Sequence, residues 1–350
     1  MTARENILRA VRFERPEYIP MDFMINSACW DAYPHDEIFN LMETHKLLFP
    51  EVARPPEPFV PEHGINAYKD RPFTDDFGCV WATALDGIVG TVVGHPLADR
   101  QAFDTYTMPD PRICTGIGPI DWEAERLRMA RAKADGILVR SNLRHGHTFL
   151  QLCDLRGYEN LMYDFVDEDP RLVRLIGLLE EFNAYIVGQY LDMGLDLFTY
   201  PEDLGMQRGP MLSPEHFRQY IKPSYSRLMK PAREKGVIVH LHCDGDLHTL
   251  VDDLIDCGVN YINLQDLVNG IDWIAGRFAG KVCVDLDIDR QNITVMGTPA
   301  QIDALIREEV EKISRPEGGL TMVYGWYPGV PLENVKAIMD AMERYTYYWQ

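Results

Sequence analysis

From residue 137 onward the chain follows a rule that few folds can satisfy: a short apolar stretch, then a helix-periodic run, repeated. The stretches are ILVRSNL (137–143), LDLFTYPED (195–203), VIVHLHCDG (237–245), YINLQDL (261–267), KVCVDLDID (281–289) and LTMVYGW (320–326). An earlier one, YIPMDFMIN, occupies 18–26. Strands joined through helices pair in parallel, and a parallel sheet must be covered on both faces. Seven or eight such units in one chain favour a closed (β/α)8 TIM barrel over an open sheet. Residues 1–350 therefore read as a single barrel domain. Residues 1–17 add an N-terminal helix, 30–119 form an irregular excursion rich in Pro, Asp and aromatic residues, and 137–350 carry the regular units.

The helices announce their ends. Ile7, Leu8, Val11 and Phe13 predict a helix over 3–13. Asp121 can cap a helix running to Ala134, with Gly136 just beyond it. Asp169 and Pro170 open a long one through Leu172, Leu175, Ile176, Leu179, Phe182 and Ile186, which Gly194 stops. Ser213 and Pro214 open another, broken or kinked near Pro223 and Pro231. Thr298, Pro299 and Gln301 spell a capping box ahead of Ile302, Leu305 and Ile306, and a last helix runs from about Pro331 through Met342. Within the excursion, DDFGCVWATAL and GIVGTVVGHPL suggest a hairpin.

Strand parity then sorts the polar residues. In VIVHLHCDGD, Val237, Val239, Leu241 and Cys243 share one face, and His240, His242 and Asp244 share the other. Gly245 and Asp246 supply a turn and a cap for the helix-periodic run that Gly258 closes. Asn142 opposes Leu143, Asn263 and Gln265 oppose Ile262 and Leu264, and Asp285 and Asp287 oppose Val284 and Leu286. Barrel sites are built where strands end at the C-terminal rim. The inferred rim gathers Asn142, Arg144, His145, Glu202, Asp203, His242, Asp244, Gln265, Asp287 and Tyr324. Each also has a plainer reading. Glu202 or Asp203 can cap a turn, Asp285 can pair with Arg140, Asp287 can cap the next segment, His145 can be merely solvated, and Tyr324 and Trp326 can be pocket walls.

Charge narrows the partners. A formal net charge of −20 disfavours nucleic acid and anionic membrane surfaces, which need clustered cations. No apolar run approaches bilayer length and the first residues lack a signal-peptide core, so a cytoplasmic protein is expected. The seven cysteines form no C-x-x-C pair, which argues against a disulfide scaffold or a zinc ribbon.

Several pieces together resemble the uroporphyrinogen decarboxylase superfamily over nearly the full length: RENILRAVRFERPEYIPMDF, DDFGCVW, TYTMPDP, EDLGMQRGPMLSPEHFRQYIKP, HCDGD and PLENVKAIMDAME. The resemblance implies a (β/α)8 barrel with its site in the C-terminal cleft, hosting tetrapyrrole decarboxylation or methyl transfer with a corrinoid protein. Decarboxylation in that family uses an arginine-containing loop after the first strand; here the loop is MINSACWDAYPHDE, without arginine. The branch serving thiol acceptors carries a zinc site of His-x-Cys-Gly plus a later Cys. The likeness places His242 on the His, Asp244 on the first Cys and Trp326 near the second, so both thiolates are replaced.

The resemblance therefore points to the other half-reaction, in which a methyl group leaves a small methylated substrate, such as a methoxylated aromatic, for a corrinoid (cobalamin) protein. An ether oxygen leaves only with an acid or a metal upon it. His242, Asp244 and Glu202 are the expected catalytic group and the expected ligands of a zinc ion, with Asp203 as an alternative third ligand. Asn142, Arg144, His145, Gln265, Asp287, Tyr324 and Trp326 are expected to bind substrate, with Trp30, Trp81 and Tyr200 as further aromatic walls. The rival readings are a decarboxylase or lyase of a small acid gripped by Arg140 and Arg144, and a non-catalytic ligand-binding barrel. A monomer or homodimer is expected.

Overall fold

The computed structural model describes residues 1–56 and 59–350. Seven strands form one sheet: β1 (Met21–Ile25), β2 (Arg140–Asn142), β3 (Leu197–Pro201), β4 (Ile238–His242), β5 (Tyr261–Gln265), β6 (Cys283–Asp287) and β7 (Leu320–Trp326). Their order is β1-β7-β6-β5-β4-β3-β2. The pairings of β1 with β7, β7 with β6, and β2 through β5 in succession are parallel. The α/β alternation is therefore as expected. The eighth strand of the expected barrel does not occur among the described residues, and ILVRSNL supplies only the three residues of β2. Where a further strand would fall, the excursion instead holds a small three-stranded sheet of 73–74, 80–82 and 91–94. Residues 57 and 58 of that excursion lie outside the described residues.

The chain divides into two compact units. The first comprises Met1–Pro72, Ala82–Thr91 and Leu264–Gln350. Its opening helix, Ala3–Arg12, is held by a capping box between Thr2 and Glu5. The helix Pro299–Ile313 has the expected box, with Thr298 and Gln301 each bonding the other's backbone, and buries Ile302, Leu305, Ile306, Val310 and Ile313. It packs against the last helix, Leu332–Thr346. In this unit Thr321 stands beside Asp285 and Val323 beside Asp287, whereas Tyr324 stands beside Phe23 and Trp326 beside Ile25. Since side chains alternate along a strand, Tyr324 and Trp326 share the apolar face and turn away from Asp285 and Asp287. Both rings are fully buried, against Phe23 and Tyr33 respectively. Tyr324 and Trp326 thus do not lie on one face with the strand carboxylates, as their place at the rim led one to expect.

The second unit comprises Phe73–Trp81 and Val92–Asn263. Asp121 caps the helix Trp122–Ala134 and Asp169 caps Pro170–Asp192, each accepting first-turn backbone N–H groups. The segment opened by Ser213 and Pro214 passes through one π-helical turn, Phe217–Ile221, before continuing as the helix Lys222–Glu234. Pro223 and Pro231 each lack an N–H, which removes donors from the ladder at the expected places. The helix Val251–Cys257 ends at Gly258, whose φ of 119° only glycine adopts readily. No helix among the described residues is long and apolar enough to cross a membrane.

Candidate functional site

The second unit builds the site at the ends of β2, β3 and β4. On β4, Val239, Leu241 and Cys243 are buried, while His240 and His242 emerge on the other face. Thr199 of β3 stands beside His240 and Pro201 beside His242. Two residues past Pro201 the same parity presents Asp203 on the His242 face, while Glu202 points the opposite way. Next to them, Gly205 and Gly245 bring the strand exits together. A Cβ on either would overlap the other's backbone, and Gly245 has φ 88°.

These exits assemble a triad. The Nε2 of His145 lies 3.3 Å from Oδ2 of Asp203, and the Nε2 of His242 lies 3.7 Å from Oδ1 of the same carboxylate. The two imidazole rings are 5.4 Å apart between centroids. One ligand atom from each of His145, Asp203 and His242 lies within 4.8 Å of the others, which is compact enough to hold one cation. Behind His242, its Nδ1 meets the amide oxygen of Asn263 at 2.5 Å. An amide oxygen only accepts, so Nδ1 carries the hydrogen and Nε2 is the nitrogen offered to Asp203. Two Nε2 atoms facing one carboxylate require protons or a metal cation between them. His240, two residues deeper, bonds the Thr199 hydroxyl at 3.0 Å and packs at a tilt against the Tyr261 ring, 4.3 Å between centroids.

Electrostatics fit an acid or a ligand set. Burial opposes protonation of His145, but the hydrogen bond to Asp203 and the charges of Asp203, Glu202 and Asp244 outweigh it and hold its pKa above the ordinary value. Burial would raise Asp203; its bond to His145, the charges of both histidines and the N–H of Asp244 lower it instead. That backbone N–H donates to Oδ1 of Asp203 at 3.0 Å.

Other expected site residues have different duties. Glu202, expected as acid and ligand, is wholly buried. It accepts the N–H groups of Thr148 (3.0 Å), Phe149 (2.9 Å) and Leu150 (3.0 Å) and the hydroxyl of Tyr225 (2.7 Å). Its oxygens are spent on the start of the helix Phe149–Arg156. Asp244, also expected as a ligand, contributes its backbone N–H and its charge and stands outside the three-residue group. Arg144 is buried, paired with Asp75 at 3.4 Å and Asp154 at 3.2 Å, and lies over the rings of Phe77 and Trp81. Its guanidinium is thus already shared between two carboxylates. Burial pushes Asp154 up to about 6 against the pull of Arg144. Asn142 is exposed and donates to the Leu143 carbonyl.

In the first unit, Gln265 is buried and its carbonyl accepts from Asn269, Asp287 holds Arg290 at 2.7 Å, and Asp285 accepts the Thr321 hydroxyl at 2.6 Å. Sequence parity could have chosen Asp203 over Glu202, because Thr199, Pro201 and Asp203 alternate with Phe198, Tyr200 and Glu202. The inferred rim already gathered His145 with Asp203 and His242, with His145 expected to bind substrate and not to share a ligand set with them.

Residues 91–345 match the profile of the family described as uroporphyrinogen decarboxylase (URO-D). The methylcobamide:CoM methyltransferase MtaA of Methanosarcina barkeri is 29% identical over 140 residues, covering 39% of this chain and 38% of that protein. The uroporphyrinogen decarboxylase of Thermus thermophilus is 28% identical over 189 residues, covering 52% of this chain and 50% of that protein. The chain thus spans between about two-fifths and one half of these relatives' lengths. A solved methyltransferase from Methanosarcina mazei shares the fold, with a TM-score of 0.63 at 17% identity over 98% of this chain and 99% of that one.

Proposed function

As this chain belongs to the uroporphyrinogen decarboxylase family, we propose that it is a methyltransferase that moves a methyl group from a small methylated substrate, a methoxylated aromatic being the best fit, to a corrinoid protein. The observation that carries the reading is the His145–Asp203–His242 triad. Breaking a methyl–oxygen bond leaves an oxygen that must gain a proton or a positive charge. His145, whose protonated form Asp203 favours, would hand over that proton as the methyl carbon passes to the reduced corrinoid. The C–O pair of electrons then stays on the oxygen and becomes the new O–H bond. Asp203 orients His145, and Asn263 fixes the tautomer of His242. Similarity to a methylcobamide:CoM methyltransferase supports the corrinoid side.

The same side chains fit a metal. Two imidazole nitrogens and one carboxylate oxygen make the three-ligand set of a catalytic zinc site with a fourth position open. When bound there, zinc supplies a Lewis acid to the leaving oxygen. His145, His242 and Asp203 would hold it, and Asn263 would keep the His242 ring in register.

The decarboxylase reading, which similarity to the Thermus protein supports, needs a cation for the substrate carboxylate; Arg144 is already shared between Asp75 and Asp154. The two readings separate in one experiment. The purified protein, reduced cobalamin and a panel of methoxylated aromatics are followed by the cobalamin spectrum, beside carbon dioxide release from carboxylic acids with no corrinoid present. Methyl transfer that falls about 10²- to 10⁴-fold in Asp203→Asn is the expected result. Full activity in His242→Ala would sink the reading, and corrinoid-independent carbon dioxide release would replace it with the rival.

A further inference from the structure

We propose that Glu202 is a positioning residue that sets the separation of His145 from Asp203. The inference rests on the triad reading of the site. Glu202 immediately precedes Asp203 in the chain, and its side chain leaves on the face opposite to it. Across the gap, Thr148, Phe149 and Leu150 begin three residues after His145. All three donate backbone N–H groups to the one carboxylate, at 3.0, 2.9 and 3.0 Å. The carboxylate therefore ties the end of β3 to the segment after β2 that carries His145, beside the bond from the Gly146 N–H to the Pro201 carbonyl at 3.0 Å. Two of these bonds are buried and the third partly so, and they satisfy N–H groups at a helix start that lack intrahelical partners. Tyr225, from the helix Lys222–Glu234, adds a fourth bond to the same oxygen as Thr148 and Phe149, and its ring packs against His147 at 5.2 Å between centroids, a contact that phenylalanine keeps. Asp203 and His145 thus face each other because the residue behind each is fastened to the same point.

The test compares Glu202→Gln with Tyr225→Phe in the full chain, using two readouts that loss of stability alone does not move. The first is the nuclear Overhauser contact between the His145 and His242 rings; the second is affinity for cobalt(II), used as a spectroscopic metal probe. Glu202→Gln keeps one acceptor oxygen and loses the other. It should lose the ring-to-ring contact and bind cobalt(II) about 10- to 100-fold more weakly, the range seen for residues that support metal ligands. Tyr225→Phe removes a buried bond to the same carboxylate and should keep the contact and stay within about threefold in affinity. Should Glu202→Gln not fold, Glu202→Asp, which keeps the charge on a shorter stem, takes its place with the same readouts. A variant at Glu202 that keeps both the ring contact and the affinity overturns the proposal, as does an equal loss in Tyr225→Phe. A wild-type protein that binds no cobalt(II) overturns the metal reading of the site alone, because the ring contact still decides the role of Glu202.

Discussion

Two glutamates, one in each unit, are removed from water completely, and the protein handles them in opposite ways. Glu202 in the second unit receives three backbone N–H groups and a tyrosine hydroxyl. Glu309 in the first unit, on the helix Pro299–Ile313, receives no N–H donor among the described residues and faces Asp266. Asp266 is itself buried and already accepts the N–H groups of Leu267 and Asp289. Burial first, then the charge of Asp266, pushes Glu309 well above the usual carboxylate range, which favours its protonated form beside Asp266. A buried carboxyl group needs either donors or a proton. The unit with the candidate site supplies donors from a helix start; the other favours the protonated form of the acid.

The largest expected effect is on the donor-rich side. Glu202→Ala strands three N–H groups and a hydroxyl, and should lower the unfolding free energy by about 3–5 kcal/mol in denaturant titration. Glu309→Gln, which can still donate to Asp266, should cost under about 1.5 kcal/mol at neutral pH. Equal losses would erase the distinction between the two sites.

The pH dependence follows from the sign of each shift. Glu309 has a folded pKa raised above its unfolded value, so its contribution is complete below the unfolded value and is lost as pH rises through the folded one. Wild-type melting temperature should therefore fall from mildly acidic to alkaline pH more steeply than that of Glu309→Gln. Parallel curves would mean that Glu309 is not holding a proton. At the triad, His145 is raised and Asp203 lowered, so their mutual stabilisation fades above the His145 value and below the Asp203 value. In Asp203→Asn the His145 titration, followed by its ring proton resonances, should move down toward that of an ordinary histidine. An unmoved titration would show that Asp203 does not support the proton.

The smallest effect belongs to a carboxylate with the same task as Glu202 but in water. Asp121 accepts the N–H groups of Glu123 and Ala124 at the start of the helix Trp122–Ala134, and is exposed. Asp121→Ala should cost about 1 kcal/mol by thermal or denaturant unfolding. A loss matching that of Glu202→Ala would show that burial adds nothing to the helix-start bond.

Much of this was legible in the chain. Apolar alternation located six of the seven main strands closely, and the caps at Asp121, Asp169 and Thr298 were readable because capping is settled within four residues. Parity on VIVHLHCD turned His242 away from the core correctly. Extended to 202–203, the same parity presents Asp203, the alternative third ligand, on the His242 face and turns Glu202 away. Parity likewise puts Tyr324 and Trp326 on the face opposite Asp285 and Asp287, once the register of β7 against β6 is known.

What the chain determined alone was local: where strands and helices begin, which faces are oily, and that imidazoles and carboxylates gather where strands end. The partner of each carboxyl group was decided only in three dimensions. Asp203 acquires His145, Glu202 acquires the start of a helix more than fifty residues earlier, and Arg144 is spent on Asp75 and Asp154. The reason is physical: a charged group's role depends on what replaces its water, and that replacement comes from segments distant in sequence.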